Sequence, residues 1–248
     1  MLGIYLGVKM LSSLYTKEGI PLKHLEKLSF FGIIGIIIGA RLGHCLFYEP
    51  QYYLSHLLEM FLPFRFNSDG GFEFTGFMGL ASHGGGIGLI IAIMLYARKT
   101  KQSALKTLDL VAVVSGLSFA FIRVANFMNS EIVGHPTDKY WAVIFQQEDS
   151  LPRHPAQLYE AISYLVIFGI MLFFHKKFKN KLASGGLFGI AVIMFFSARF
   201  CIEFFKENQV AFEDNMYLNM GQILSLPYIL VGVIFFCFAI EGRKTKTK

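Results

Sequence analysis

The sequence predicts an all-α protein: a polytopic integral membrane helix bundle of seven spans, the first of them truncated in this chain. Three observations carry that expectation. The 248 residues are 54% hydrophobic, with a mean hydropathy of +0.51. Only 16% are charged, where a soluble domain carries about 25%. The apolar residues gather in runs near 2–15, 28–48, 76–97, 107–128, 156–175, 185–205 and 219–240. All but the first approach the ~17–25 residues of a bilayer-crossing helix. A soluble globular domain, a disordered chain and a disulfide scaffold are excluded. No internal repeat, low-complexity tract or linker divides the chain, so residues 1–248 read as a single membrane domain.

The run 2–15 is short: at 1.5 Å per residue it reaches roughly 21 Å, against a hydrocarbon core of ~30 Å. It contains Lys9 and lacks both a basic leader and a small-residue cleavage site. It is therefore no signal peptide and reads as the remnant of a first span. The runs that follow hold most of the 27 Phe and 24 Gly, which suit helices that face lipid and pack closely on one another. Cys45, Cys201 and Cys237 all lie in such runs. An odd count without CxxC spacing gives neither disulfide framework nor metal knuckle, and the three read as buried small hydrophobes.

Basic residues orient the spans. The connections 16–27, 98–106 and 176–181 and the C-terminal tail carry 15 Lys and Arg, whereas the alternate connections carry only Arg65, Lys139, Arg153 and Lys206. Basic flanks stay cytoplasmic. The C-terminus is thus expected inside, the N-terminus outside, and the loops 49–75, 129–155 and 206–218 outward. This asymmetry explains the net charge of +6 without nucleic acid.

Lys9, Arg41, Arg123 and Arg199 fall inside apolar runs. An arginine there costs at least ~2.5–3.5 kcal/mol and normally faces a protein interior or a water-filled cavity. Arg41, Arg123 and Arg199 lie toward the outward ends of their spans, and Arg153 just precedes the fifth. One arginine at a helix end can snorkel to the headgroups. Four among glycines and polar residues suggest a site for an anionic lipid headgroup, because a guanidinium holds phosphate bidentately and keeps its charge when buried.

Five segments carry the chemistry. GLASHGGGIG (79–88) opens the third span and holds His83 among five glycines, which permit close helix approach in a membrane. His83 could move a proton or only pack. RVANFMNSEIVG (123–134) sets Arg123, Asn126 and Asn129 three residues apart on one helix face, a polar edge that also brings Glu131 and Gly134. PRHPAQLYE (152–160) enters the fifth span between two prolines with Arg153. Arg199 and Glu203 stand at i,i+4, where an ion pair forms. GARLGHCLFYEP (39–50) contains Arg41. No HExxH, GxSxG elbow or Walker lysine occurs, and the glycines at 84–88 follow no strand, so they make no nucleotide fingerprint. An anion transporter, with arginines lining a cavity near the outer face, is the rival function. No inverted repeat accompanies it.

These segments, with LNMGQILSLP (218–227), resemble the prolipoprotein diacylglyceryl transferase family over residues 28–240. The resemblance implies a seven-span enzyme of the bacterial inner membrane that needs no metal or cofactor. Its partners would be membrane lipids, phosphatidylglycerol above all, and prolipoprotein signal peptides with a lipobox cysteine. The sn-1,2-diacylglyceryl group would pass to the cysteine thiol, forming a thioether and releasing glycerol 1-phosphate. By motif, His83, Arg123, Asn126, Gly134, Arg199 and Glu203 match positions important to the family. Catalytic roles are expected for His83, Arg123, Arg199 and Glu203. Substrate binding is expected of Arg123, Asn126, Asn129, Glu131, Gly134, Arg153 and Arg41. Two departures stand out: the family's N-terminal Trp-Tyr-Gly is absent, and a family tyrosine one turn before Arg199 is Phe195. His83 as general base and an arginine-rich field that lowers the thiol pKa remain alternative ways to activate the substrate.

Overall fold

The computed structural model describes residues 2–62, 64–66, 71–74, 79, 81–178, 182–207 and 216–244. Helices dominate: α1 (Leu2–Lys17), α2 (Leu22–Phe47), a short α3 (Pro50–Ser55), α4 (Ser82–Thr100), α5 (Ala104–Met128), α6 (Ala156–Phe178), α7 (Gly186–Ile202) and α8 (Met220–Lys244). Tight 3-10 turns cover Leu57–Met60 and Glu203–Phe205. Two small hairpins depart from a purely helical expectation: β1 (Phe64–Phe66) pairs antiparallel with β2 (Phe72–Phe74), and β3 (Val143–Ile144) with β4 (Pro152–Arg153). Both lie in connections, where no helix satisfies the backbone.

Among the described residues, five helices are long and apolar enough to cross a bilayer: α2, α5, α6, α7 extended to Phe205, and α8 to Gly242. This is the architecture of a multi-pass membrane protein. Large side chains such as Phe30, Ile33, Ile37, Leu230 and Phe238 are exposed along them; in water such patches are a liability, and in lipid they are the solvent-facing surface. α1 is short of a bilayer at 16 residues. α4 begins at Ser82, and its glycines, His83, Arg98 and Lys99 dilute its apolar character. Residues 76–78 and 80, which the sequence assigns to the start of that run, lie outside the described residues. Of the cysteines, Cys45 is buried while Cys201 and Cys237 are exposed. A small apolar side chain serves a lipid-facing position as well as an interior one.

The chain divides into two compact units, residues 15–107 and residues 1–14 with 108–248. In the first, α2 and α4 meet through glycine. A Cβ on Gly43 would stand 2.8 Å from Gly84 Cα, one on Gly39 would collide with the Gly84 carbonyl, and one on Gly35 would lie 2.6 Å from the Gly88 carbonyl. The four-residue spacing of Gly35, Gly39 and Gly43 puts all three on one helix face, so the backbones come together as small-residue seams do in membranes. The fully buried Tyr15 and Tyr96 hydroxyls meet at 3.5 Å.

In the second unit the same device recurs between α7 and α8, where a Cβ on Gly189 would lie 2.7 Å from the Gly232 carbonyl. The start of α7 is capped from α5. The buried Asp109 carboxylate accepts 2.8 Å bonds from the amides of Gly185 and Phe188, satisfying donors that a helix start otherwise leaves open. Phe119, Tyr164 and Phe195 form an edge-to-face cluster with centroids 5.3–6.1 Å apart.

Candidate active site

In the unit containing residues 108–248, α5 and α7 finish at the end where α6 and α8 begin. The segments beyond are tied together by backbone: His135 N donates to Phe205 O (2.9 Å), Glu207 N to Val133 O (3.2 Å) and Gly134 N to His154 O (3.1 Å). Gly134 bridges Lys206. Here glycine is required, because a Cβ would run into the His154 carbonyl and stand 2.6 Å from that of Phe205.

Five charged side chains alternate in sign across this end. Arg123 Nε lies 2.9 Å from Glu160 Oε2. The other oxygen of Glu160 takes Lys206 Nζ at 3.0 Å. Lys206 Nζ also meets Glu203 Oε2 at 3.0 Å, and Arg199 Nε stands 3.9 Å from that same oxygen. The middle of the chain is dry: the side chains of Glu160, Lys206 and Glu203 are 0%, 2% and 7% exposed, while Arg199 reaches 36%. Burial of this kind strongly favours keeping every charge paired. The Glu203 carboxylate faces the start of α8 so closely that a Cβ on Gly221 would collide with it. Tyr164 Oη donates to Glu160 Oε1 at 3.4 Å.

Arg123 also begins a polar edge. Its Nη1 donates to Asn126 Oδ1 at 3.3 Å. Asn126 Nδ2 donates to Glu131 Oε2 at 2.5 Å, and Asn129 Nδ2 to Glu131 Oε1 at 3.2 Å. Glu131 thus gathers both asparagines. The backbone beside it is strained: Ser130 and Ile132 both have φ of 57°, a region that a β-branched residue rarely enters. Such strain persists where surrounding contacts enforce it, often at functional sites. The buried Gln157 holds this turn through a 2.6 Å bond from Nε2 to the Glu131 carbonyl.

Arg153 braces the loop that precedes α6. Its Nε and Nη2 grip the Asp149 carboxylate, Nε at 3.2 and 3.1 Å, and its Nη1 donates to Gly134 O at 3.1 Å and to Glu207 Oε2 at 2.5 Å. All three guanidinium nitrogens are engaged by protein. The bond from Arg153 holds the Asp149 carboxyl below its ordinary range. Beside it, Tyr159 Oη accepts from Trp141 Nε1 (2.7 Å) and lies 2.9 Å from His154 Nδ1. Burial first, then the fields of His135 and Lys139, lower the His154 pKa.

Arg41 and His83 belong to the unit of residues 15–107. The Arg41 guanidinium is buried, donating from Nη2 to Glu59 O (2.7 Å) and from Nε to Met60 O (3.2 Å), 4.9 Å from the Tyr53 ring centroid. It too fastens its own loop. The backbone of His83 sits in the first turn of α4, and its side chain lies outside the described residues.

The structure therefore brings Arg123, Asn126, Asn129, Glu131, Arg199 and Glu203 to one end, with Gly134 and Arg153 shaping the adjoining loop. Sequence reasoning missed Lys206, Gln157 and Tyr164, and held Glu160 only as a member of the segment entering the fifth span. The signal available for Glu160 was an acid four positions before Tyr164 in an apolar helix, a placement that is expensive unless paired.

Residues 1–238 match the family described as prolipoprotein diacylglyceryl transferase. The chain is similar to proteins named phosphatidylglycerol–prolipoprotein diacylglyceryl transferase from several bacteria. It is 49% identical over 247 residues to that of Bacteroides fragilis, covering 100% of this chain and 88% of the relative. For Tolumonas auensis the identity is 43% over 242 residues, 97% and 89% of the two chains. For Chloroherpeton thalassium it is 40% over 229 residues, 92% and 81%.

Proposed function

Since the chain belongs to the prolipoprotein diacylglyceryl transferase family, we propose that it moves the sn-1,2-diacylglyceryl group of phosphatidylglycerol to the thiol of a lipobox cysteine. The observation that carries the proposal for the site is the buried ion chain from Arg123 to Arg199. It prepares two guanidinium groups, one at each end, for an anionic phosphodiester.

The reaction forms a bond between the cysteine sulfur and glycerol C3 and breaks the C3–O bond to phosphate. The departing electron pair stays on the phosphate oxygen, and glycerol 1-phosphate leaves. Arg123 and Arg199 hold the phosphate and stabilise the charge that builds on it, as fixed donors do best in a dry site. Asn126, Asn129 and Glu131 orient the headgroup. Glu203 positions Arg199, and Glu160 positions Arg123. Gly134, Arg153 and Arg41 also serve substrate binding, while each braces its own loop. His83 accepts the thiol proton, since thiolate and not thiol is the nucleophile. The hydroxyl missing at Phe195 comes from Tyr164, whose ring packs on Phe195 at 5.4 Å and whose Oη reaches Glu160.

The chain is read as one membrane domain of the bacterial inner membrane with seven spans, α1 and α4 among them, N-terminus out and C-terminus cytoplasmic. The 15-to-4 partition of basic residues supports that orientation. A reporter fused after residue 140 should read external, and a cytoplasmic signal there would reverse it. The central test is chemical. Purified protein, phosphatidylglycerol and a lipobox peptide should yield a peptide heavier by one diacylglyceryl group. Anion flux across vesicles without that adduct would instead establish a transporter.

A further inference from the structure

We propose that Lys206 is a positioning residue for the two arginines, a role that rests on the transferase reading of the site above. Its ammonium sits 3.0 Å from Glu160 Oε1 and 3.0 Å from Glu203 Oε2. These carboxylates come from different elements, α6 and the 3-10 turn after α7, and each is the direct partner of one arginine. Two buried carboxylates converging on one point repel each other unless a cation stands between them. Lys206 is that cation, and it is 2% exposed.

The charge balance gives it a function beyond packing. Within the ion chain itself, Arg123, Arg199 and Lys206 against Glu160 and Glu203 leave one net positive charge. Without the ammonium the two carboxylates would claim the arginines in full, and the ion chain would lose its net positive charge. Lys206 therefore limits how far each carboxylate neutralises its own arginine.

Its own position is set by backbone. Lys206 N bonds Glu203 O at 3.2 Å in the 3-10 turn, and the residues on either side, Phe205 and Glu207, bond the strand-like segment 133–135. A lysine on a mobile loop could not hold two carboxylates at once; one clamped by this ladder can. Tyr164, Arg123 and Arg199 also face the pair.

The experiment uses the full chain in detergent with Lys206→Met, Lys206→Gln and Lys206→Arg. It measures binding of phosphatidylglycerol and of zwitterionic phosphatidylethanolamine, and separate KM values for lipid and lipobox peptide. In Lys206→Met the Kd and KM for phosphatidylglycerol should rise about 10²-fold, the scale of a misplaced site group. The peptide KM and phosphatidylethanolamine binding should stay put, and Lys206→Arg should recover most of the loss. Lipid Kd and KM within about threefold of the parent, far below that scale, would overturn the proposal. So would a fall in kcat alone with both KM values unchanged, the mark of less folded protein. Lys206→Gln keeps a polar end and carries the same comparison if Lys206→Met does not fold. Should the parent bind phosphatidylglycerol in a Lys206-dependent way yet form no adduct, the transferase reading fails and the role of Lys206 stands.

Discussion

Replacing Glu160 with glutamine isolates the energetics of the ion chain. The amide keeps the shape and one acceptor oxygen but no charge. Glu160 is fully buried and holds Arg123 Nε at 2.9 Å through one oxygen and Lys206 Nζ at 3.0 Å through the other. In Glu160→Gln one of those cations must face an NH2 donor in a dry site. Breaking a buried pair from one side costs about 3–5 kcal/mol. The retained carbonyl still serves one cation, which puts the expectation at the lower end, about 3 kcal/mol, or about a hundredfold in the folded-to-unfolded ratio. The comparison is Glu207→Gln, which removes an ion pair to Arg153 from a side chain that is 45% exposed and should cost at most about 1 kcal/mol. Unfolding in rising SDS, followed by far-ultraviolet circular dichroism, gives the stabilities, and adduct formation gives the rates. Equal costs for the two variants, or a Glu160→Gln loss below about 0.5 kcal/mol, the scale of an indifferent surface change, would refute the claim that burial makes this chain strong.

Other expectations are checked more simply. Arg123→Lys should lose most transfer from phosphatidylglycerol, because an ammonium cannot reproduce the bidentate fork; full activity would leave Arg123 with no headgroup role. His83→Gln should slow transfer by ~10²–10⁴-fold if His83 takes the thiol proton, with the defect shrinking as pH approaches the free thiol value of ~8.5; a small loss that is flat with pH would leave His83 a packing residue. Gly134→Ala should lower both stability and activity, since a Cβ has no room between the His154 and Phe205 carbonyls, and an unchanged melting curve would contradict that. Asp149 has its folded pKa depressed by Arg153, so its pairing is present above the unfolded value of ~3.9 and fades as pH falls through the folded one. Amide exchange in residues 129–155 should therefore accelerate on acidification, and Asp149→Asn should abolish that pH dependence.

What could be read from the sequence follows how far apart the interacting residues lie along it. Helices α2, α5, α6, α7 and α8 are legible because an apolar run of about 20 residues has one economical conformation in lipid. The Arg123–Asn126 contact and the Arg199–Glu203 pair are legible because spacings of three and four residues face each other on any helix. The two hairpins were not, since their strands of two or three residues carry no periodic pattern. Glu160 and Lys206 were not either, being 46 residues apart. In one dimension Lys206 is a connection lysine and Glu160 an acid near a helix start. Arg41 and Arg153 show the converse limit. Composition marks each as an arginine that needs anionic or polar partners, and the fold supplies backbone carbonyls to both and the Asp149 and Glu207 carboxylates to Arg153. A buried guanidinium seeks the nearest oxygens, and which protein oxygens are nearest is set by the fold. Arg123 and Arg199 differ from them in that the carboxylates they face, Glu160 and Glu203, are both held in turn by Lys206.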